Sequence, residues 1–182
     1  GELHGNFQLD AQYYNSDSLI GAPEVPEKML MRGYTNLNYR LGDFTAGVRY
    51  ETYLNTLQGF DPRYEGNAFP YRYASYLANG LDITVGNFYE QFGNGLIFRS
   101  YEEWGLGLDN MMDGVRLKYS PAKGVYLKGV IGKQRYFMDY GPGIVRGADV
   151  EIFINELSDS LVNAKTQLIV GGSVVSKYQA DQ

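Results

Sequence analysis

The sequence predicts an all-β fold, an antiparallel transmembrane up-and-down β-barrel of the outer-membrane kind. Three observations point there. Apolar and polar residues alternate over segments about twice the ~5–6 residues of an ordinary strand. Long connections take turns with tight ones along the chain. The composition is rich in Gly (23), Tyr (17) and Phe (9), and 44% hydrophobic residues coexist with a mean hydropathy of −0.33. That last pairing suits a wall with a polar lumen side and an apolar lipid side, whose average looks hydrophilic.

The opening segment shows the alternation most plainly. Leu3, Gly5, Phe7, Leu9, Ala11 and Tyr13 interleave with Glu2, His4, Asn6, Gln8, Asp10 and Gln12. Successive side chains of a strand point to opposite faces, so one face is apolar and the other polar. The length matches the ~9–11 residues of a tilted membrane-crossing strand. After a Pro-containing loop at 15–27, Met29, Met31, Gly33, Thr35, Leu37, Tyr39 and Leu41 define one face of a second strand. Arg32, Tyr34, Asn36, Asn38 and Arg40 define its other face. Gly42-Asp43 supplies a two-residue hairpin turn. It leads into Phe44, Ala46, Val48, Tyr50, Thr52 and Leu54, with Arg49 and Glu51 facing the other way. A long loop at 55–70 precedes a hairpin of 71–78 and 81–90 across Asn79-Gly80. Further strands are predicted at 112–119, 125–137, 144–156 and 165–178, with a short turn at 121–124 and a longer stretch at 157–163.

Long loops (15–27, 55–70, 91–110) thus alternate with tight turns (42–43, 79–80, 121–124). Outer-membrane barrels sort their connections this way, with short turns periplasmic and long loops outside. Tyr13, Tyr14, Tyr39, Phe44, Tyr50, Tyr53, Tyr71 and Tyr119 fall near strand ends, where aromatic girdles flank the apolar band. Cross-strand aromatic pairing in a soluble sheet is the other account of them.

Composition excludes several classes. With no cysteine there is neither a disulfide scaffold nor a thiolate metal site. A net charge of −5 and a pI near 4.9 lack the basic footprint of a nucleic-acid binder. No apolar stretch approaches the ~18 residues of a membrane helix, and no secretory signal precedes Gly1, which reads as a mature or trimmed start.

One region carries a resemblance. It includes Val85-Gly86-Asn87-Phe88-Tyr89-Glu90-Gln91-Phe92-Gly93-Asn94-Gly95-Leu96, then Arg99-Ser100-Tyr101-Glu102-Glu103 and Asp113-Gly114-Val115. With Gly132-Lys133-Gln134-Arg135-Tyr136 and the 141–147 run, it resembles a Bacteroidetes-type outer-membrane β-barrel family of unassigned function, over most of the chain. The resemblance implies a porin-like barrel, a bacterial outer-membrane location and a Phe-Gly segment entering the lumen. Nine strand candidates are an odd number, whereas single-chain bacterial barrels use an even one. The chain also lacks a terminal aromatic. Both departures predict that residues 1–182 form a single barrel domain that is the N-terminal portion of a larger barrel.

No catalytic residue, metal site or cofactor is expected. His4 is the single histidine, on a polar strand face, so neither a triad nor a histidine zinc site has its ligands. Glu102 and Glu103 beside Trp104 resemble a sugar site, but neighbours on a strand face opposite ways and would not share a substrate. Asp109 to Gly114 has the start of a calcium loop, yet Met111 and Ser120 occupy ligand positions, which leaves a Gly-ended turn. The Gly-rich stretch 86–107 lacks a phosphate loop's Lys-Ser/Thr ending and predicts close backbone approach or a constriction folded into the lumen. Constriction candidates are Phe92, Asn94, Arg99, Glu102, Glu103 and Trp104. Lumen-lining candidates are Arg32, Arg40, Arg49, Glu51, Arg72, Arg116, Lys118, Arg135, Arg146, Asp149 and Glu151, because charge in a membrane span must face protein or water. These charges either set the selectivity of a pore or pair across strands and fill a closed lumen. Three functions follow: a porin-like channel for small polar solutes; a non-conducting structural barrel partnered with other outer-membrane proteins; and a soluble all-β ligand-binding protein. The first two imply outer-membrane lipid as a partner, and none implies nucleic acid.

Overall fold

The computed structural model describes residues 1–180. Nine long strands form an all-antiparallel sheet: β1 (Glu2–Tyr13), β2 (Met29–Leu41), β3 (Phe44–Leu54), β4 (Gly66–Ala78), β5 (Leu81–Phe88), β6 (Met112–Ala122), β7 (Val125–Tyr136), β8 (Ile144–Phe153) and β9 (Ile169–Tyr178). Each pairs with the next in sequence, without crossovers, and a short strand, Asp139–Tyr140, adds to the end of β7. β2 and β3 have the bounds the alternation predicts. β4 begins earlier, and β8 gives way to a 3-10 turn at Ile154–Glu156. Among the described residues β1 and β9 pair on one side only, so the sheet is not closed.

The tight turns at 42–43, 79–80 and 123–124 lie at one end of the strands. Connections 14–28, 55–65, 89–111 and 137–143 lie at the other. The 154–168 connection departs from this sorting, being long and at the turn end.

The sheet is strongly curled. β3 and β7 are separated by β4, β5 and β6, which in a flat sheet places them ~19 Å apart at ~4.8 Å per strand. Yet Arg135 of β7 meets Glu51 of β3 at 2.7 Å. A row of glycines, Gly86, Gly114 and Gly132, runs across β5, β6 and β7 in register. A Cβ at these positions would overlap, respectively, the carbonyl oxygens of Arg72, Ile131 and Asp113. The three strands therefore approach closely enough to turn a corner only because no side chain intervenes.

Curling gives the sheet two unlike faces. The convex face carries Leu3, Phe7 and Leu9 of β1, Leu37 of β2, Val48 of β3, Val85 of β5, Val115 and Leu117 of β6, Ile131 of β7 and Val174 of β9. Most are widely exposed, Leu3 at 69% and Val85 at 54%. The concave face is charged and aromatic. Its apolar core is a small cluster: Phe88, Phe92, Phe98, Met112, Val130 and Val145.

The register corrects two lumen-facing assignments. Arg72 pairs with Val48 and Arg146 with Ile131, so both stand on the convex face. Arg72 lies in the unbroken register from Phe44–Tyr76 to Arg49–Tyr71; beyond it a bulge, where Tyr50 opposes both Phe69 and Pro70, re-phases only Gly66 to Ala68. Two aromatics assigned to the girdle are also inside. Tyr53 is buried against Tyr64, and Tyr71 stacks on Tyr89. Tyr13, Tyr39, Phe44 and Tyr119 are exposed at strand ends.

Candidate functional site

The site is the concave face and the loop at 89–111 folded against it. Phe92 and Phe98 anchor one end, with ring centroids 4.9 Å apart. Gly147 of β8 makes room for them, since a Cβ there would overlap the Phe92 ring. Phe92 is 1% exposed, so this part of the loop is as buried as a protein core.

The other end is held by charge. Arg49 of β3 pairs with Glu51 (2.8 Å), Glu102 (2.9 Å) and Asp109 (3.0 Å). Arg135 pairs with Glu51 and Asp109, both at 2.7 Å. Two guanidiniums thus tie two loop carboxylates to one wall carboxylate, and each fork holds several oxygens at once. Oxygens of Glu51, Glu102 and Asp109 lie within 4.8 Å of one another, a spacing that would suit a cation. Arg49 and Arg135 between them already pair with all three carboxylates, which makes the cluster an ion-pair network. Asp109 accepts from Met111 N (3.1 Å) as well, so the calcium-loop spacing is used as a turn.

Burial pushes the Glu102 carboxyl up to about 7; Arg49 holds it down, and Asp109 and Glu51 add to the rise. Asp109 is also raised by burial, against the pull of Arg135 and Arg49. Three carboxylates share two cations in a partly dry site, which explains why desolvation prevails.

Between the anchors, Trp104 stacks on Tyr34 of β2 at 4.1 Å, with the Arg49 guanidinium 4.9 Å from its ring. Arg32 of β2 donates to the Trp104 carbonyl (2.7 Å) and pairs with Asp10 of β1 (2.8 Å). Glu102 turns inward while Glu103 caps the following turn by accepting from Gly105 N, so the two carboxylates point apart.

A second network lies towards the turn end. Glu90 takes Lys118 at 2.8 Å, with Arg116 and Lys128 each 3.9 Å away. Arg116 also holds Asp82 (3.0 Å), and Lys128 lies near Asp149 and Glu151 (3.7 and 3.5 Å).

The structure therefore brings together Arg32, Arg49, Glu51, Arg116, Lys118, Arg135, Asp149 and Glu151 on the concave face, with Phe92, Glu102 and Trp104 from the loop. Arg40 shares that face but is exposed near the turn end. Asn94, Arg99 and Glu103 are exposed on the loop. Sequence reasoning missed Asp109, Glu90, Asp82, Lys128 and Tyr34 as site members. Lys128 and Asp82 lie in phase with recognised strand positions and were open to the same alternation argument; loop residues Glu90 and Asp109 have no period to reveal them.

A family model described as a family of unknown function, DUF6029, matches residues 1–182. A search of curated proteins finds no match.

Proposed function

The chain belongs to the DUF6029 family, and we propose that it builds part of the wall of a bacterial outer-membrane β-barrel, a porin-like channel for small polar solutes narrowed by the 89–111 loop. The observation that carries this reading is the division of faces. Among the described residues, the convex-phase strand positions carry no charge apart from Arg72, Asp113, Lys133, Arg146 and Arg135, the last buried against Glu51 and Asp109 at the strand end, while the concave face holds the other charges and takes up the loop. A lipid-facing wall has that division; a soluble sheet has no reason to expose Leu3, Phe7, Val85 and Val174 together.

Dimensions support it. From Leu3 to Tyr13 the strand runs ~34 Å at ~3.4 Å per residue, which a tilt of ~40° reduces to about the ~25 Å of an outer-membrane apolar band. Tyr39, Phe44 and Tyr119 sit at the turn end and Tyr13 at the loop end, the places for amphipathic rings. The unpaired edges of β1 and β9 are long, and further strands closing them would remove the hazard an open edge presents.

The loop lies against the wall rather than across a closed ring, leaving Glu2, His4, Asn6 and Gln8 of β1 exposed on the concave side. These would line the remaining passage. The test is single-channel recording of the purified protein in planar bilayers, with Trp104→Ala as comparison. Discrete conductance steps that widen in the variant support the channel. Silence in both favours a second reading, a non-conducting barrel partnered with other outer-membrane proteins. That reading draws on the pairing of the concave charges with one another, which fills lumen space instead of leaving charge for passing solutes.

A further inference from the structure

The four charged residues of the convex face are gathered in one place. Arg72 of β4 reaches over Asn87 of β5 to Asp113 of β6, with the guanidinium 3.1 Å from the carboxylate and the Arg72 backbone N donating to Asn87 Oδ1 at 2.8 Å. Asp113 is in register with Lys133 of β7. Arg146 of β8 is in register with Ile131, two residues along β7 from Lys133 and so diagonal to it on the same face. Three cations and one anion thus occupy neighbouring strands, near the end that carries the long loops, on a wall otherwise without charge. Asp113 gives its carboxylate to Arg72, and both Lys133 and Arg146 are exposed.

A lipid-facing charge is costly deep in an apolar band and nearly free at the interface. Arg146 sits lower than the row of Arg72, Asp113 and Lys133, alongside Val115 and Ile131, but a long stem can carry its head upward. A guanidinium and an ammonium carried on neighbouring strands at headgroup level would suit a phosphate, the arginine by two parallel donors and the lysine by point charge.

We propose that Lys133 and Arg146, steadied by the Arg72–Asp113 pair beside them, form a binding site for the phosphorylated headgroup of an outer-leaflet lipid. The site rests on the membrane reading above. It tethers the loop end of β4 to β8, the strands behind the inward loop, to the outer leaflet.

The experiment uses the detergent-purified protein incubated with bisphosphorylated lipid A, dephosphorylated lipid A or inorganic phosphate, and measures retained lipid by mass spectrometry. The wild type retains the bisphosphorylated form, and Lys133→Ser/Arg146→Ser retains about thirtyfold less, in line with ~1 kcal/mol for each of the two interfacial cations removed. Lys133→Arg/Arg146→Lys keeps most of the retention, and unchanged Trp104 fluorescence in both variants shows an intact fold. Equal retention by wild type and the serine variant, equal retention of the dephosphorylated lipid, or displacement of the lipid by inorganic phosphate overturns the site while leaving the barrel standing. A protein that stays dissolved without detergent removes both.

Discussion

Arg135 on β7 holds Glu51 on β3 through a guanidinium–carboxylate contact of 2.7 Å, across a sheet in which three strands separate them. Both side chains are almost wholly buried, and Asp109 of the loop joins them at 2.7 Å from Arg135. The pair therefore records the curl of the sheet and the docking of the loop together. Arg135→Met removes one of the two cations shared by Glu51 and Asp109 and leaves three carboxylates on Arg49 alone, so it should cost about 3–5 kcal/mol. Adding Glu51→Gln should recover part of that loss, since it leaves Arg49 with two carboxylates to hold instead of three. A double-mutant cycle by thermal unfolding in detergent checks the sign; full additivity would mean the two do not act as a pair.

The glycine corner makes a sharper demand. Gly114→Val places a side chain onto the Ile131 carbonyl oxygen and should prevent the curled sheet from forming. Gly129→Ala, three residues along β7 from Gly132 with nothing near its Cβ position, should be tolerated. Heat-modifiable migration in gels reads both, and a folded Gly114→Val protein would contradict the corner.

Fold and site were legible to different degrees, for physical reasons. Strict alternation located β2 and β3 to the residue, because a sheet with two unlike faces forces a period of two. The same rule separates Arg146 from Asp149 and Glu151, which lie an odd number of residues away, so the sequence already held that correction. Arg72 obeys it too, in phase with Ala74 and Tyr76 and opposite Val48; only Gly66 to Ala68 are re-phased by the bulge opposite Tyr50, which pairing reveals and composition does not. Asp109 becomes a site residue only when a distant part of the chain, Arg49, is brought to it. The inward course of the loop was legible in kind from its Gly-rich sequence, but not in its anchors.

The loop should respond to pH. Glu102 faces Arg49 and Glu51 from β3, and Asp109 from its own loop, with Arg135 and Tyr89 alongside through the shared network. Its carboxyl is raised from 4.5 to about 7. A raised carboxyl stabilises the docked state fully below the unfolded value and loses that contribution as pH climbs through the folded one. Docking should therefore loosen as pH rises through about 7. Trp104, the one tryptophan, reports it: a red shift of emission centred near pH 7 in the wild type, absent in Glu102→Gln. A shift of the same midpoint in the variant would assign the titration elsewhere.

The convex face offers a test of solvent. Val85 is 54% exposed, so in water Val85→Arg should change stability by no more than about 0.5 kcal/mol. Against lipid the same change should be clearly destabilising, towards the ~2–4 kcal/mol of a charge at full depth. Gln8→Arg on the exposed concave side of β1 serves as the control and should be nearly neutral. Refolding into lipid vesicles measures both, and a neutral Val85→Arg would speak against a lipid-facing wall.

Detergent dependence of extraction from the membrane fraction, with circular dichroism on the same sample, bears most directly on the whole account. The account predicts a protein that leaves the membrane only with detergent and then gives a β spectrum. A protein that is soluble and β-rich without detergent would contradict it: the two faces would then belong to a soluble all-β sheet, and the channel and outer-membrane readings would go together.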